Sequence, residues 1–124
     1  MYKLILILLL AGCSTIDTHT AAPSDWPTLR VYEHRVPHNV MRDRCAKYAS
    51  WGSYPEACAE VDFANLRCDI WFSADFPPLP EWVEHEKMHC LGMGHEGEEN
   101  TLATAWKRYK QHAAGAAIAR GLRK

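Results

Sequence analysis

Three histidines, a glutamate and a glycine stand at fixed spacing in one short stretch, in the order H-E-x-x-H-x-x-G-x-x-H. On an α-helix, His85 and His89 are four residues apart and lie on one face, with Cβ atoms about 5 to 6 Å apart. Glu86 projects beside this pair and can reach a water without binding the metal. Gly92 accepts the positive φ of a sharp turn, after which His95 can supply a third nitrogen. The stretch predicts a zinc site, and the alternative is a helix end whose histidines only cap or pack.

At these residues the chain resembles the metzincin family of zinc metallopeptidases, whose active-site helix, glycine turn and third histidine carry the same pattern. Glu96 after His95 is similar to the astacin variant of that family, and the ending L-G-M-G-H is similar to the matrixin one. The resemblance implies that His85, His89 and His95 bind Zn²⁺ and that Glu86 is the general base. It also implies a peptide or protein substrate, hydrolysed by a water in the open fourth position of the metal.

The chain departs from this family in two respects. Metzincins place a methionine-containing turn beneath the metal after the third histidine, whereas the last methionine here is Met93, inside the motif. At 124 residues the chain is also shorter than most members, which predicts a small substrate cleft.

The first residues are typical of an export signal, with Lys3 followed by an apolar run too short to span a bilayer. Leu10-Ala11-Gly12-Cys13 resembles the lipobox of bacterial lipoprotein precursors, which implies a signal peptide at 1–12 and a lipidated Cys13. The alternative is an ordinary secretory signal with an incidental cysteine. Residues 13–24 are small and polar, which predicts a flexible tether between the lipid and a zinc-peptidase-like domain at 25–124. We therefore expect a protein anchored in the cell envelope, at the periplasmic face of the outer membrane in a Gram-negative host.

Four further cysteines lie in this exported context, where an even number indicates disulfides. Three pairings are possible, and sequence alone does not decide between them. We favour Cys45 with Cys58 and Cys68 with Cys90, because the second pair would tie a strand to the motif helix.

Length and hydrophobic pattern predict one small α+β domain with a short sheet, an active-site helix and a C-terminal helix. Prolines 77, 78 and 80 set up the start of the motif helix, and Asn100 or Thr101 caps the last one. The predicted strands span 28–36, 59–64 and 67–73, and the predicted helices span 39–50, 79–91 and 101–120.

The formal net charge of −1 argues against a nucleic-acid surface, which is typically basic. Two alternatives to a peptidase remain at this point. One is a three-histidine metal-dependent ribonuclease, since one bacterial rRNA-maturation family has similar histidine spacing; the glutamate, the cysteines and the export signal disfavour it. The other is a non-catalytic envelope or phage-encoded lipoprotein that uses zinc only to stabilise its fold and binds a surface partner.

Overall fold

A computed structural model describes residues 19–48 and 55–121 of the chain. It confirms a small α+β domain. The strands are β1 (His19–Thr20), β2 (Arg30–Val36), β3 (Ala57–Asp62), β4 (Arg67–Ser73) and β5 (Gly94–His95). The helices are α1 (His38–Cys45), followed by a 3-10 turn at Ala46–Tyr48, then α2 (Pro80–Cys90) and α3 (Thr101–Gly121).

Strands β2, β4 and β3 form a three-stranded sheet in that order, with β2 parallel and β3 antiparallel to β4. The central strand β4 alternates between buried and less buried positions, and the side chains of Cys68, Ile70 and Phe72 are fully buried. β-Branched and aromatic residues suit such a strand because they pack well on a pleated surface. The motif helix packs against this face of β4.

Helix α2 packs against the buried face of the sheet through Val83 and Cys90. It begins with Pro80, whose missing N–H belongs to the first turn, where no backbone acceptor is available in any case. A disulfide joins Cys90 at the end of α2 to Cys68 on β4. The helix is thus covalently fixed to the sheet next to the predicted metal ligands.

The second disulfide joins Cys45 at the end of α1 to Cys58 on β3, so both pairs are those favoured from the sequence. These two cysteines and Met41 form a second buried cluster behind the sheet. Helix α1 begins at His38, one residue before the predicted start at 39, and Pro37 occupies its N-cap position. The predicted end of this helix lies outside the described residues.

The N-terminal boundary of the domain differs from the predicted one. The predicted tether at 13–24 includes β1, which pairs antiparallel with β5 so that His19 lies opposite His95 and Thr20 opposite Gly94. The backbone pairing orders a segment whose composition alone predicts no structure. Within the described residues, paired structure therefore begins at His19, inside the predicted tether.

Candidate metal centre

Helix α2 carries the first two histidines of the motif on one face. The ring centroids of His85 and His89 are 4.7 Å apart, as expected for residues one helical turn apart. Glu86 lies on the adjacent, buried side of the helix with 8% of its surface exposed. The motif therefore places two partly buried imidazoles beside one more deeply buried carboxyl group.

A glycine turn brings the third histidine back to this helix. Gly92 has a φ of +84°, a conformation that L side chains rarely adopt, and it follows Leu91, the C-cap residue of α2. A Cβ atom there would also clash with the indole ring of Trp26. The chain then reverses into β5, whose second residue is His95.

The three histidines converge through the same ring atom. The Nε2 atom of His85 lies 3.0 Å from that of His95 and 3.1 Å from that of His89. Two nitrogens that each lie about 2.0 to 2.1 Å from one tetrahedral ion are about 3.3 Å apart. The donor set therefore has the right type and spacing to bind a metal ion.

Two of the rings are oriented by contacts on their other nitrogen. The Nδ1 atom of His89 lies 2.8 Å from the carbonyl oxygen of Met93, to which it donates as Nδ1–H. The Nδ1 atom of His95 lies 3.2 Å from a carboxylate oxygen of Glu98. Such contacts place the proton on Nδ1 and leave the Nε2 lone pair for a metal, a common arrangement around metal-binding histidines.

Burial shifts the pKa values of two groups at the centre in opposite directions. It raises the pKa of Glu86 to about 7, because the ionised carboxylate is poorly solvated there. It lowers the pKa of His89 to about 4, because desolvation disfavours the imidazolium. Near neutral pH, His89 is therefore neutral, which is the form of imidazole that binds metals, and Glu86 can exchange a proton.

A cleft of about 540 Å³ opens onto the three histidines and Glu86. Its walls are mainly apolar side chains from β3 and α3, including Val61 and Leu102, and its rim carries Glu98 and Glu99. Pockets of this size accept small ligands or short peptide segments. A polypeptide side chain can therefore reach the metal centre.

The cleft contains a phenol that the sequence did not single out. Tyr48 lines it with a side chain that is 48% exposed, and partial burial raises the pKa of its phenol above the ordinary value near 10. The hydroxyl is therefore protonated at neutral pH, as any tyrosine is, and can donate a hydrogen bond. Tyr109, the tyrosine that follows the motif in the chain, instead packs against Phe63 and Trp106 with centroid distances of 5.5 and 5.9 Å. No spacing rule links Tyr48 to the motif, because the two meet only in the folded chain.

Two further side chains near the centre precede the sheet in the chain: His19 lies in the predicted tether, and Trp26 follows it. The ring of His19 lies 5.0 Å from that of His85, and the indole Nε1–H of Trp26 donates to the carbonyl of Cys90 over 3.0 Å. The only signal in the sequence was a histidine within the small and polar tether and a tryptophan shortly after it. Cys13 lies outside the described residues.

Comparison with known proteins returned no matching protein family, no matching curated protein and no matching solved structure. Across residues 19–48 and 55–121, none of the helices has both the length and the apolar content needed to cross a bilayer. The two disulfides are typical of an oxidising compartment such as the cell envelope or the extracellular space.

Proposed function

We propose that the protein is a zinc metallopeptidase that hydrolyses peptide bonds at the three-histidine centre. The observation that carries this proposal is the convergence of three Nε2 atoms beside a buried glutamate at the base of an open cleft. Three neutral imidazoles are a frequent ligand set of catalytic zinc, which keeps a position for substrate or water.

Each group in the cleft has a role in this reaction. A zinc ion held by the histidines would polarise the substrate carbonyl and promote ionisation of the attacking water. Glu86 would accept the proton from this water as the C–O bond forms, and donate it to the nitrogen as the C–N bond breaks. Its raised pKa near 7 suits both steps, because a group that titrates near the working pH can accept and donate. Tyr48 lines the cleft, and its hydroxyl would donate a hydrogen bond to the developing oxyanion.

The proposal includes lipid anchoring through Cys13, which the lipobox-like segment supports. Because His19 already pairs with β5, only residues 14–18 separate this cysteine from the fold. Six residue steps span at most roughly 20 Å of extended chain. A lipid on Cys13 would hold the metal centre close to the membrane surface and favour substrates in that layer.

Metal content and cleavage measured on the same preparations test the catalytic proposal. The full chain and its Glu86→Gln variant are analysed by native mass spectrometry for zinc and incubated with a mixed peptide library. We expect one zinc in both and at least about a 100-fold loss of cleavage in the variant, the usual scale for a general base. The matched control is Glu96→Gln, an exposed carboxylate next to His95, which should retain activity.

The other outcomes decide between the remaining functions. Zinc in every protein without any cleavage would contradict the peptidase proposal and favour a non-catalytic zinc protein. If neither the full chain nor its His85→Ala variant binds zinc, the metal centre itself is refuted. Cleavage of RNA in place of peptides would favour the ribonuclease alternative.

A further inference from the structure

The N-terminal segment (residues 19–26) lies next to the metal centre and contacts β5, the glycine turn and the end of α2. It begins with β1, whose pairing places His19 opposite His95. Residues directly opposite in an antiparallel pair project their side chains to the same face. His19 therefore points to the side of this ribbon from which His95 reaches the other two histidines.

The ring of His19 packs against the two histidines of α2. Its centroid lies 5.0 Å from that of His85 at a tilt of 48°, and 6.1 Å from that of His89 in an edge arrangement. The first distance equals the separation of the His85 and His95 rings. The Nε2 atom of His19 is shielded from solvent. Among the described residues, however, His19 belongs neither to the three-nitrogen group nor to the lining of the cleft.

The rest of the N-terminal segment is attached to the glycine turn. Asn100 donates from Nδ2 to the carbonyls of Gly92, at 2.9 Å, and Ala21, at 3.3 Å, and so links turn and segment. Trp26 covers Gly92 and donates to the carbonyl of Cys90. The segment therefore contacts both ends of the loop that carries the third histidine.

From these contacts we propose that His19 is a positioning residue of the metal centre, which packs behind His85 and His89 and keeps their rings turned toward His95. The inference rests on the proposed metal centre. It means that the N-terminal segment helps to hold the rings of His85 and His89 in the orientation that metal binding needs. An imidazole ring that loses its packing neighbour gains torsional freedom, which metal binding must then remove. Groups that orient ligands in this way typically change metal affinity by about 10- to 100-fold.

The test compares metal binding by the full chain with that of His19→Ala and His19→Phe. Zinc affinity is measured by competition with a chelator, and the absorption spectrum of the Co²⁺ form reports the ligand set. We expect His19→Ala to weaken zinc binding by about tenfold or more, and His19→Phe to recover most of this loss because it restores a ring. The matched control is His112→Ala, an exposed histidine on α3, which should bind zinc as the wild type does.

Addition of imidazole to the Co²⁺ form of His19→Ala distinguishes positioning from direct ligation. A positioning role predicts that imidazole does not restore the wild-type spectrum, since no ligand is missing. Restoration by imidazole would show that His19 is itself a metal ligand and would overturn the inference. Equal zinc affinities of wild type and His19→Ala would also overturn it while leaving the metal centre intact. Failure of the wild type to bind any metal would overturn the metal centre and this inference together.

Discussion

Replacement of Glu86 by glutamine should change how the stability of the metal-free protein depends on pH. In the folded chain, burial raises the pKa of this carboxyl from 4.5 to about 7. Between these values the folded state retains a proton that the unfolded state has lost, so the free energy of unfolding falls as the pH rises. At roughly 1.4 kcal/mol per pKa unit, the complete effect is about 3 kcal/mol. The Glu86→Gln variant has no such proton and loses this dependence.

His89 contributes in the opposite direction and must be separated from Glu86. Burial lowers its pKa from 6.5 to about 4, so between these values the unfolded state binds more protons. Its contribution to stability is complete above pH 6.5 and is lost as the pH falls. Between pH 4.5 and 6.5 the contributions of Glu86 and His89 to the free energy of unfolding change in opposite directions, so in the wild type they nearly cancel. The difference between wild type and Glu86→Gln removes the His89 contribution, because both proteins retain that residue.

Urea unfolding followed by tryptophan fluorescence measures this difference in the presence of a chelator, at about pH 4, 6 and 8. We expect Glu86→Gln to gain about 3 kcal/mol relative to wild type between the lowest and the highest of these values. The control is Glu81→Gln, which removes an exposed carboxylate from the first turn of the same helix. A stability difference between wild type and Glu86→Gln that stays constant with pH would refute the argument that this carboxyl is desolvated.

Three further predictions concern the cleft, the disulfides and the metal. Tyr48→Phe should lower kcat by about 100-fold, since it removes a hydrogen-bond donor, and should leave zinc content unchanged. The control variant Tyr109→Phe should leave both kcat and zinc content unchanged. Equal losses of kcat in the two variants would contradict the role of the Tyr48 hydroxyl as a donor to the oxyanion. Replacement of Cys68–Cys90 by alanines should cost about 3 kcal/mol of stability from loop entropy. It should also weaken zinc binding, because Cys90 directly follows His89, one of the three converging histidines. The same change at Cys45–Cys58 should cost a similar amount in urea unfolding without altering zinc affinity, so equal effects on affinity would argue against local support of the centre. Zinc at about 100 times its Kd should stabilise the wild type by about 2.7 kcal/mol in thermal unfolding, and a chelator should reverse this stabilisation. A melting temperature that does not change with zinc concentration would contradict zinc binding to the native state.

The centre was predictable from sequence because its main parts are local. Helical periodicity places His85 and His89 on one face, and Gly92 is the residue that a left-handed turn requires. Asn100 was also predictable as a cap, and its Oδ1 atom accepts a hydrogen bond from the N–H of Ala103 at 3.1 Å. Each of these features depends on neighbours within one or two turns of chain.

The elements that hold the metal centre in place, the sheet and β1, were not predictable because they depend on pairing between strands that are distant in the chain. The parallel partnership of β2 with β4 has no local signal, since both strands show only their own alternation. Strand β1 has two residues and exists only by pairing with β5. Composition correctly identifies the segment around His19 as poor in apolar residues, but a few backbone hydrogen bonds and one tryptophan are sufficient to order it.

The lengths of these elements explain why the motif needs support from the N-terminal segment. Helix α2 spans eleven residues, and a helix that short is marginal in isolation. Strand β5, which holds His95, has two residues and gains its pairing from β1. The disulfide at Cys90 fixes the helix to the sheet but does not reach His95, which lies beyond the glycine turn. The relative position of the third histidine therefore depends on β1, Asn100 and Trp26, so changes in the N-terminal segment should affect the metal centre before they affect the sheet.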